Sequence, residues 1–190
     1  MRIIAIVGMC GSGKSVIADM LVKKGFGFVR LGQITLDIVK EKGLEPTEKN
    51  ERPIREGMRK KHGMAAYAIL NFPKIDKLLE KGNVVVDGLY SWEEYLVFRK
   101  KYKESFICLA VYASPETRYK RLAARIYDSK QDKEMRHRPL THKGAQSRDY
   151  SEIENLHKTG PIAMADYTIK NEGTLKDLEN EFSKFSELFL

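Results

Sequence analysis

Two cysteines, six prolines and one tryptophan are all that 190 residues contain of these three types. Two thiols, Cys10 and Cys108, exclude a disulfide framework and suit a reducing compartment. Long hydrophobic runs are missing as well. The longest, Phe106 to Ala113, is far too short to span a bilayer. The chain enters its first apolar run at once, so no signal peptide is expected and the cytoplasm is the expected location. The four histidines, His62, His137, His142 and His157, show no metal-ligand spacing with cysteine or carboxylate. Repeats, low-complexity tracts and linkers are lacking. A single domain over residues 1–190 is therefore expected.

Acidic residues are outnumbered: 34 Lys/Arg face 26 Asp/Glu, for a net charge of +8. The excess is local. From Arg118 to Arg148 there are ten Lys/Arg against three Asp/Glu. Such a cluster suits nucleic acid or a phosphate-rich small ligand. Aromatic residues do not interleave with it as they would in a stacking platform for single strands, so the small ligand is favoured.

What is present in full is a phosphate loop. Gly8-Met9-Cys10-Gly11-Ser12-Gly13-Lys14-Ser15 satisfies G-x-x-x-x-G-K-[ST]. An apolar β-branched run, residues 2–7, precedes it, and an amphipathic helix starting at Val16 follows. In that context the glycines turn backbone N–H groups toward a phosphate, and the helix N-terminus adds partial positive charge. Residues 8–16 are thus the expected nucleotide cradle. Lys14 reaches the β- and γ-phosphates, and the Ser15 hydroxyl is available to Mg²⁺. ATP and Mg²⁺ are the expected cofactors.

Strands and helices alternate along the rest. Strands are expected at 27–31, 84–86, 106–112 and 166–170. A helical region from Gln33 to about Lys81 breaks at Gly43 and Gly63, and Pro73 kinks or divides its last piece. Ser91-Trp92-Glu93-Glu94 reads as a capping box, and Trp92 as a packing residue. Ser114-Pro115-Glu116 opens a helix to about Tyr127. A polar stretch to Gln146 reads as a loop or flap, with Ser147 or Asp149 starting the next helix and Gly160-Pro161 ending it. Thr174 caps the last helix. The pattern predicts an α/β, doubly wound parallel sheet of about five strands in the P-loop NTPase manner. The helical acceptor region covers about 32–82 and the basic lid about 126–147.

Asp87 closes the third apolar strand, where a carboxylate can orient Mg²⁺. Arg118, Arg121 and Arg125 can share a helix face, and Arg136, Arg138 and Arg148 follow. Guanidinium groups match the charge that phosphoryl transfer spreads over oxygen, so Arg121, Arg125 and Arg148 join Lys14 as expected catalytic residues. Arg30, Arg55 and Arg59, between the second and third strands, are expected at an acceptor. Asp37 or another carboxylate is available as a base for a hydroxyl acceptor, and nothing in the sequence selects one. A regulatory nucleotide-binding protein with slow hydrolysis, and a polynucleotide kinase, are the rival readings. The acceptor, the choice between ATP and GTP and the oligomeric state stay open.

These motifs resemble the nucleoside- and nucleotide-kinase group of phosphate-loop proteins. Arg121-Leu-Ala-Ala-Arg125 is similar to the stretch before the lid of adenylate kinases, and Arg148-Asp149 to the pair after it. Ala165 to Gly173, with Asn171, resembles the last strand and loop of dephospho-CoA kinases, which implies a nucleotide contact for Asn171. Closest is the resemblance to a largely archaeal family labelled adenylate-kinase-related or dephospho-CoA-kinase-related, including Gly43 to Thr47 and Gly160 to Asp166. The resemblance implies phosphoryl transfer from a nucleoside triphosphate to a small acceptor. Two positions depart from it. Gln33 stands where adenylate kinases carry an acid, and Tyr90 where related enzymes place a phosphate-binding arginine. A phenol hydrogen-bonds but cannot neutralise a phosphate.

Overall fold

The computed structural model describes residues 1–126 and 139–190. Five strands, β1 (Ile3–Val7), β2 (Gly27–Arg30), β3 (Val84–Asp87), β4 (Phe106–Tyr112) and β5 (Tyr167–Lys170), form one sheet in the order β2-β3-β1-β4-β5. Every pairing is parallel. Strands buried on both faces read as continuous apolar runs, which is why Ile3–Val7 and Val84–Val86 lack alternation.

Helices cover both faces, in accord with the doubly wound expectation. On one face Ile3, Ala5, Val84, Val86 and Cys108 pack with Tyr67 and Ile75 of α4 (Ala66–Leu79) and Phe98 of α5 (Trp92–Tyr102). On the other, Ile4, Ile6, Val85 and Leu109 meet Ile17 and Leu21 of α1 (Lys14–Lys23). Phe182 and Phe185 of the last helix (Leu175–Phe189) complete that layer. The period of two along each strand assigns neighbours to opposite layers.

Between β2 and β3 run α2 (Gln33–Glu41), α3 (Glu48–His62) and α4. Their breaks fall at Gly43 and Gly63, whose φ angles of 64° and 83° lie in the left-handed region. Pro73 does not divide α4, which runs through it to Leu79. The capping box of α5 is formed: Ser91 Oγ accepts from the Glu94 amide at 3.1 Å, and Glu94 accepts from the Ser91 amide. Trp92 stacks on Tyr95 with ring centres 5.1 Å apart, a packing role as expected.

Three boundaries differ from expectation by more than two residues. The helix after β4, α6 (Pro115–Ala123), stops four residues early. The next, α7 (His142–Leu156), starts at Thr141 rather than Ser147, because the Thr141 hydroxyl caps the Gly144 amide. Gly160-Pro161 does not end it; His157 does so in a left-handed conformation, and both residues fall inside the short α8 (Thr159–Ala163). Proline is harmless there, in a first turn whose amides lack helical partners anyway. The closing helix is α9. Most of the expected lid, with Arg136, His137 and Arg138, lies outside the described residues. Among those described, no helix is long and apolar enough to cross a membrane.

Candidate functional site

The sheet register gathers the site. Ile6 of β1 pairs with Asp87 of β3, and Arg30 of β2 pairs with Asp87 on the other side. The carboxyl ends of three adjacent strands therefore present the phosphate loop, Asp87 and Arg30 side by side. Crevices at such strand ends are where ligands of open parallel sheets bind.

The loop backbone needs its glycines. Gly8 and Gly13 have φ of 143° and 102°. A Cβ on Gly8 would lie 2.3 Å from the Val111 carbonyl oxygen, and one on Gly13 2.2 Å from Asn171 Nδ2. No side chain caps α1, so its first amides remain for a ligand. Lys14 Nζ donates to the Met9 carbonyl at 2.9 Å, curling back over the loop. Burial, with Lys158 next in importance, lowers the Lys14 ammonium to a pKa of about 8. An ammonium so disfavoured gains from any anion placed beside it. Val16 lies in the first turn of α1 and packs toward the core below.

Lys14, Ser15 and Asp87 line one cavity of about 630 Å³, together with Arg125, Arg148 and Lys158. A hydroxyl, a carboxylate and several cations lining one cavity form a donor set suited to a nucleotide and its Mg²⁺. Among the described residues, no group of three or more His, Cys, Asp or Glu could hold a metal alone. Ser15, Asp87, phosphate oxygens and water would share the ion, the usual preference of Mg²⁺.

Arg121 and Asn171 are brought together against the loop backbone, and neither lines this cavity or the one beside it. Arg121 donates to the Asn171 carbonyl at 2.9 Å, and Asn171 Nδ2 donates to the Ser12 carbonyl at 2.8 Å. Arg118, expected to share the face of Arg121 and Arg125, is buried instead. It pairs with Asp149 at 2.6 Å and donates to the Cys10 carbonyl at 3.2 Å. It therefore ties α6 and α7 to the phosphate loop, and its charge is spent on Asp149 rather than on a ligand.

Arg30, Arg55, Arg59 and Tyr90 all line a second cavity of about 620 Å³ between β2, α3 and α7. Arg148 and Glu152 border both cavities. Burial lifts the Tyr90 phenol to about 12, so it stays neutral. Gln33 lies outside the cavity wall, bonded through its amide to Asp37 at 3.0 Å.

Sequence reasoning missed Lys158 and Glu152. Lys158 is 1 % exposed, and its Nζ sits 2.6 Å from Glu152 Oε2 and 4.9 Å from the Tyr90 ring centre. Arg148 Nε holds the other oxygen of Glu152 at 3.0 Å. Burial opposes ionising Glu152, but Lys158 and Arg148 overcome it and hold the carboxyl well below its usual range. The only signal in the sequence was an i, i+4 Arg148/Glu152 pair, which reads as a surface contact.

Residues 4–141 match the AAA domain family. A UPF0200 protein of Thermococcus kodakarensis is 36% identical over 184 residues, covering 96% of this chain and 95% of the relative. A UPF0200 protein of Hyperthermus butylicus is 34% identical, covering 94% and 90%. Among solved structures, shikimate kinase from Bacteroides thetaiotaomicron superposes with a TM-score of 0.58 at 14% identity, covering 98% of this chain and 97% of that one. A gluconokinase from Sinorhizobium meliloti gives 0.54 at 13%, covering 98% and 94%. These likenesses show a P-loop kinase-like fold. With its sequence matched nearly end to end, the chain belongs to the UPF0200 family and carries an AAA-type nucleotide-binding domain.

Proposed function

We propose that the protein is a cytoplasmic, Mg²⁺-dependent phosphotransferase that moves the γ-phosphoryl group of ATP to a small-molecule acceptor. One observation carries this reading: the cavity of the phosphate loop shares a wall with a second, cation-lined cavity. A protein that only bound or slowly hydrolysed nucleotide would have no use for the second. Residues 8–16 hold the phosphates, with Lys14 on the β- and γ-oxygens. Ser15 and Asp87 orient Mg²⁺, which neutralises phosphate charge when bound. Arg125 and Arg148 face the transferring group, while Arg121 and Asn171 hold the loop in shape. Arg30, Arg55, Arg59 and Tyr90 receive the acceptor. Tyr90, neutral and lacking positive charge, argues for a dephospho-CoA-kinase-like use of a hydroxyl over adenylate-kinase chemistry. Nucleic acid is not the expected partner, because a cavity of about 630 Å³ has room for few phosphates.

The test is transfer of radiolabelled γ-phosphate to nucleoside monophosphates, nucleosides, dephospho-CoA and short RNA. Transfer to one of the small molecules supports the proposal. Transfer to RNA alone, or hydrolysis alone, contradicts it. A salt titration adds a second check. A nucleic-acid groove with six to ten phosphate contacts would lose roughly 10³–10⁵ in affinity between 50 and 200 mM salt.

A further inference from the structure

The second cavity has two ends, and charge is divided between them. Its neck is the wall shared with the phosphate-loop cavity: Arg30, Glu51, Tyr90, Leu140, Arg148 and Glu152. Away from the neck, charged lining comes from α3 alone, as Arg52, Arg55, Arg59 and Lys60 against Glu56. The Arg52–Glu56 pair is exposed on both sides. Arg55 is half-buried and steadied by Glu51 at 3.3 Å.

Arg59 is the informative member. Its Nε is buried and makes no hydrogen bond. Its guanidinium lies over the Tyr67 ring, 5.1 Å from the centre. That ring is fixed by a 2.6 Å hydrogen bond between Tyr67 Oη and Thr35 Oγ1. A planar cation is thus set against a rigid aromatic support, with a donor left unmade. Leaving a buried donor unmade is costly unless a ligand completes it. Leu36, Met64 and Leu156 add an apolar wall beside it.

Resting on the phosphotransferase reading, we infer that the acceptor is a small molecule with an apolar or aromatic body and an anionic group, a phosphate or a carboxylate, held by Arg55 and Arg59 at the α3 end. The anion is therefore not what is phosphorylated. The reacting group is a hydroxyl at the neck. Its oxygen attacks the γ-phosphorus, and the bond from that phosphorus to the β,γ-bridging oxygen breaks. ADP departs with the electron pair, and the hydroxyl proton passes to a neck carboxylate, with Glu51 on both walls. The product is a phosphate ester, not a phosphoanhydride.

The test uses the full chain saturated with Mg²⁺ and the non-hydrolysable analogue AMP-PNP, titrated by calorimetry with 1-naphthyl phosphate, 1-naphthoate and 1-naphthol. At least one anionic probe should bind roughly tenfold or more tighter than the neutral naphthol, and which one does so separates phosphate from carboxylate. Arg59→Met and Arg55→Met should each weaken that probe by about tenfold. AMP-PNP affinity should move by less than about twofold, since neither side chain borders the phosphate-loop cavity. Arg59→Lys, which keeps charge and loses the planar fork, should recover only part of the loss. A second arm offers radiolabelled AMP with ATP: it should give a ribose ester or nothing. Equal binding of all three probes, binding of none, unchanged affinity in both variants, or ADP formed from the labelled AMP would each overturn the inference. Failure of AMP-PNP to bind the parent protein would instead contradict the phosphotransferase reading beneath it.

Discussion

Lys158 and Glu152 form an ion pair of 2.6 Å in which neither side chain is more than 8 % exposed, and Arg148 binds the remaining carboxylate oxygen. One acid thereby holds two cations: Arg148, which borders both cavities, and Lys158, which lines the phosphate-loop cavity. A net positive junction is what an incoming phosphoryl group requires, and Glu152 keeps those cations in place without it.

Breaking such a pair from one side strands a buried charge. Glu152→Gln should cost about 3–5 kcal/mol in urea unfolding. Adding Lys158→Met to it should recover part of that loss. The pH dependence has a definite sign. A carboxyl depressed in the folded state contributes stability that is fully present above the ordinary carboxylate range. That contribution is lost as pH falls toward the depressed value. Parent stability should therefore drop on acidification more than that of Glu152→Gln. Equal slopes would contradict the buried pair.

Glu94 has the opposite sign. It is 0 % exposed, and burial raises its pKa from 4.5 to about 7 despite hydrogen bonds from the Tyr90 and Ser91 amides. The folded state holds a proton there that the unfolded state releases. Stability should fall as pH rises from about 4.5 to 7, by up to roughly 3 kcal/mol. Glu94→Gln keeps an acceptor for the two amides and should flatten that slope. A slope unchanged in the variant would mean that Glu94 ionises normally.

Lys14 supplies a prediction for binding itself. With its pKa lowered to about 8, part of the population is neutral above that pH. A triphosphate placed beside it restores the charge, so nucleotide binding should take up a proton above pH 8 and almost none at pH 6. Calorimetry in Tris and HEPES, whose ionisation enthalpies differ, reads this directly. Absence of uptake at high pH would contradict the described position of Lys14.

The sheet, the α5 capping box and the phosphate loop were legible because each rests on local chemistry. A β-branched run, a Ser-x-x-Glu and a glycine loop need only neighbouring residues to act. The start of α7 was not legible, since Thr141 opens a polar segment with no apolar period and only its hydroxyl marks the end. Lys158 was not legible either. Its burial depends on Glu152 across the α7–α8 turn and on Tyr90 after β3, contacts that no spacing in the sequence encodes. The spacing of Arg118 with Arg121 and Arg125 suggests a ligand-facing cation. Its partner Asp149 lies 31 positions on, and only tertiary packing joins them.

The central claim is that Lys14 and Asp87 serve one reaction in one cavity. Single-turnover transfer of labelled γ-phosphate, with nucleotide affinity measured in parallel, tests it for the parent, Lys14→Ala and Asp87→Asn. Lys14→Ala should remove transfer by about a hundredfold or more while the chain still unfolds cooperatively. Asp87→Asn should lower the rate by a larger factor than it lowers nucleotide affinity, and should barely change stability. Near-parental transfer by Lys14→Ala would contradict the account.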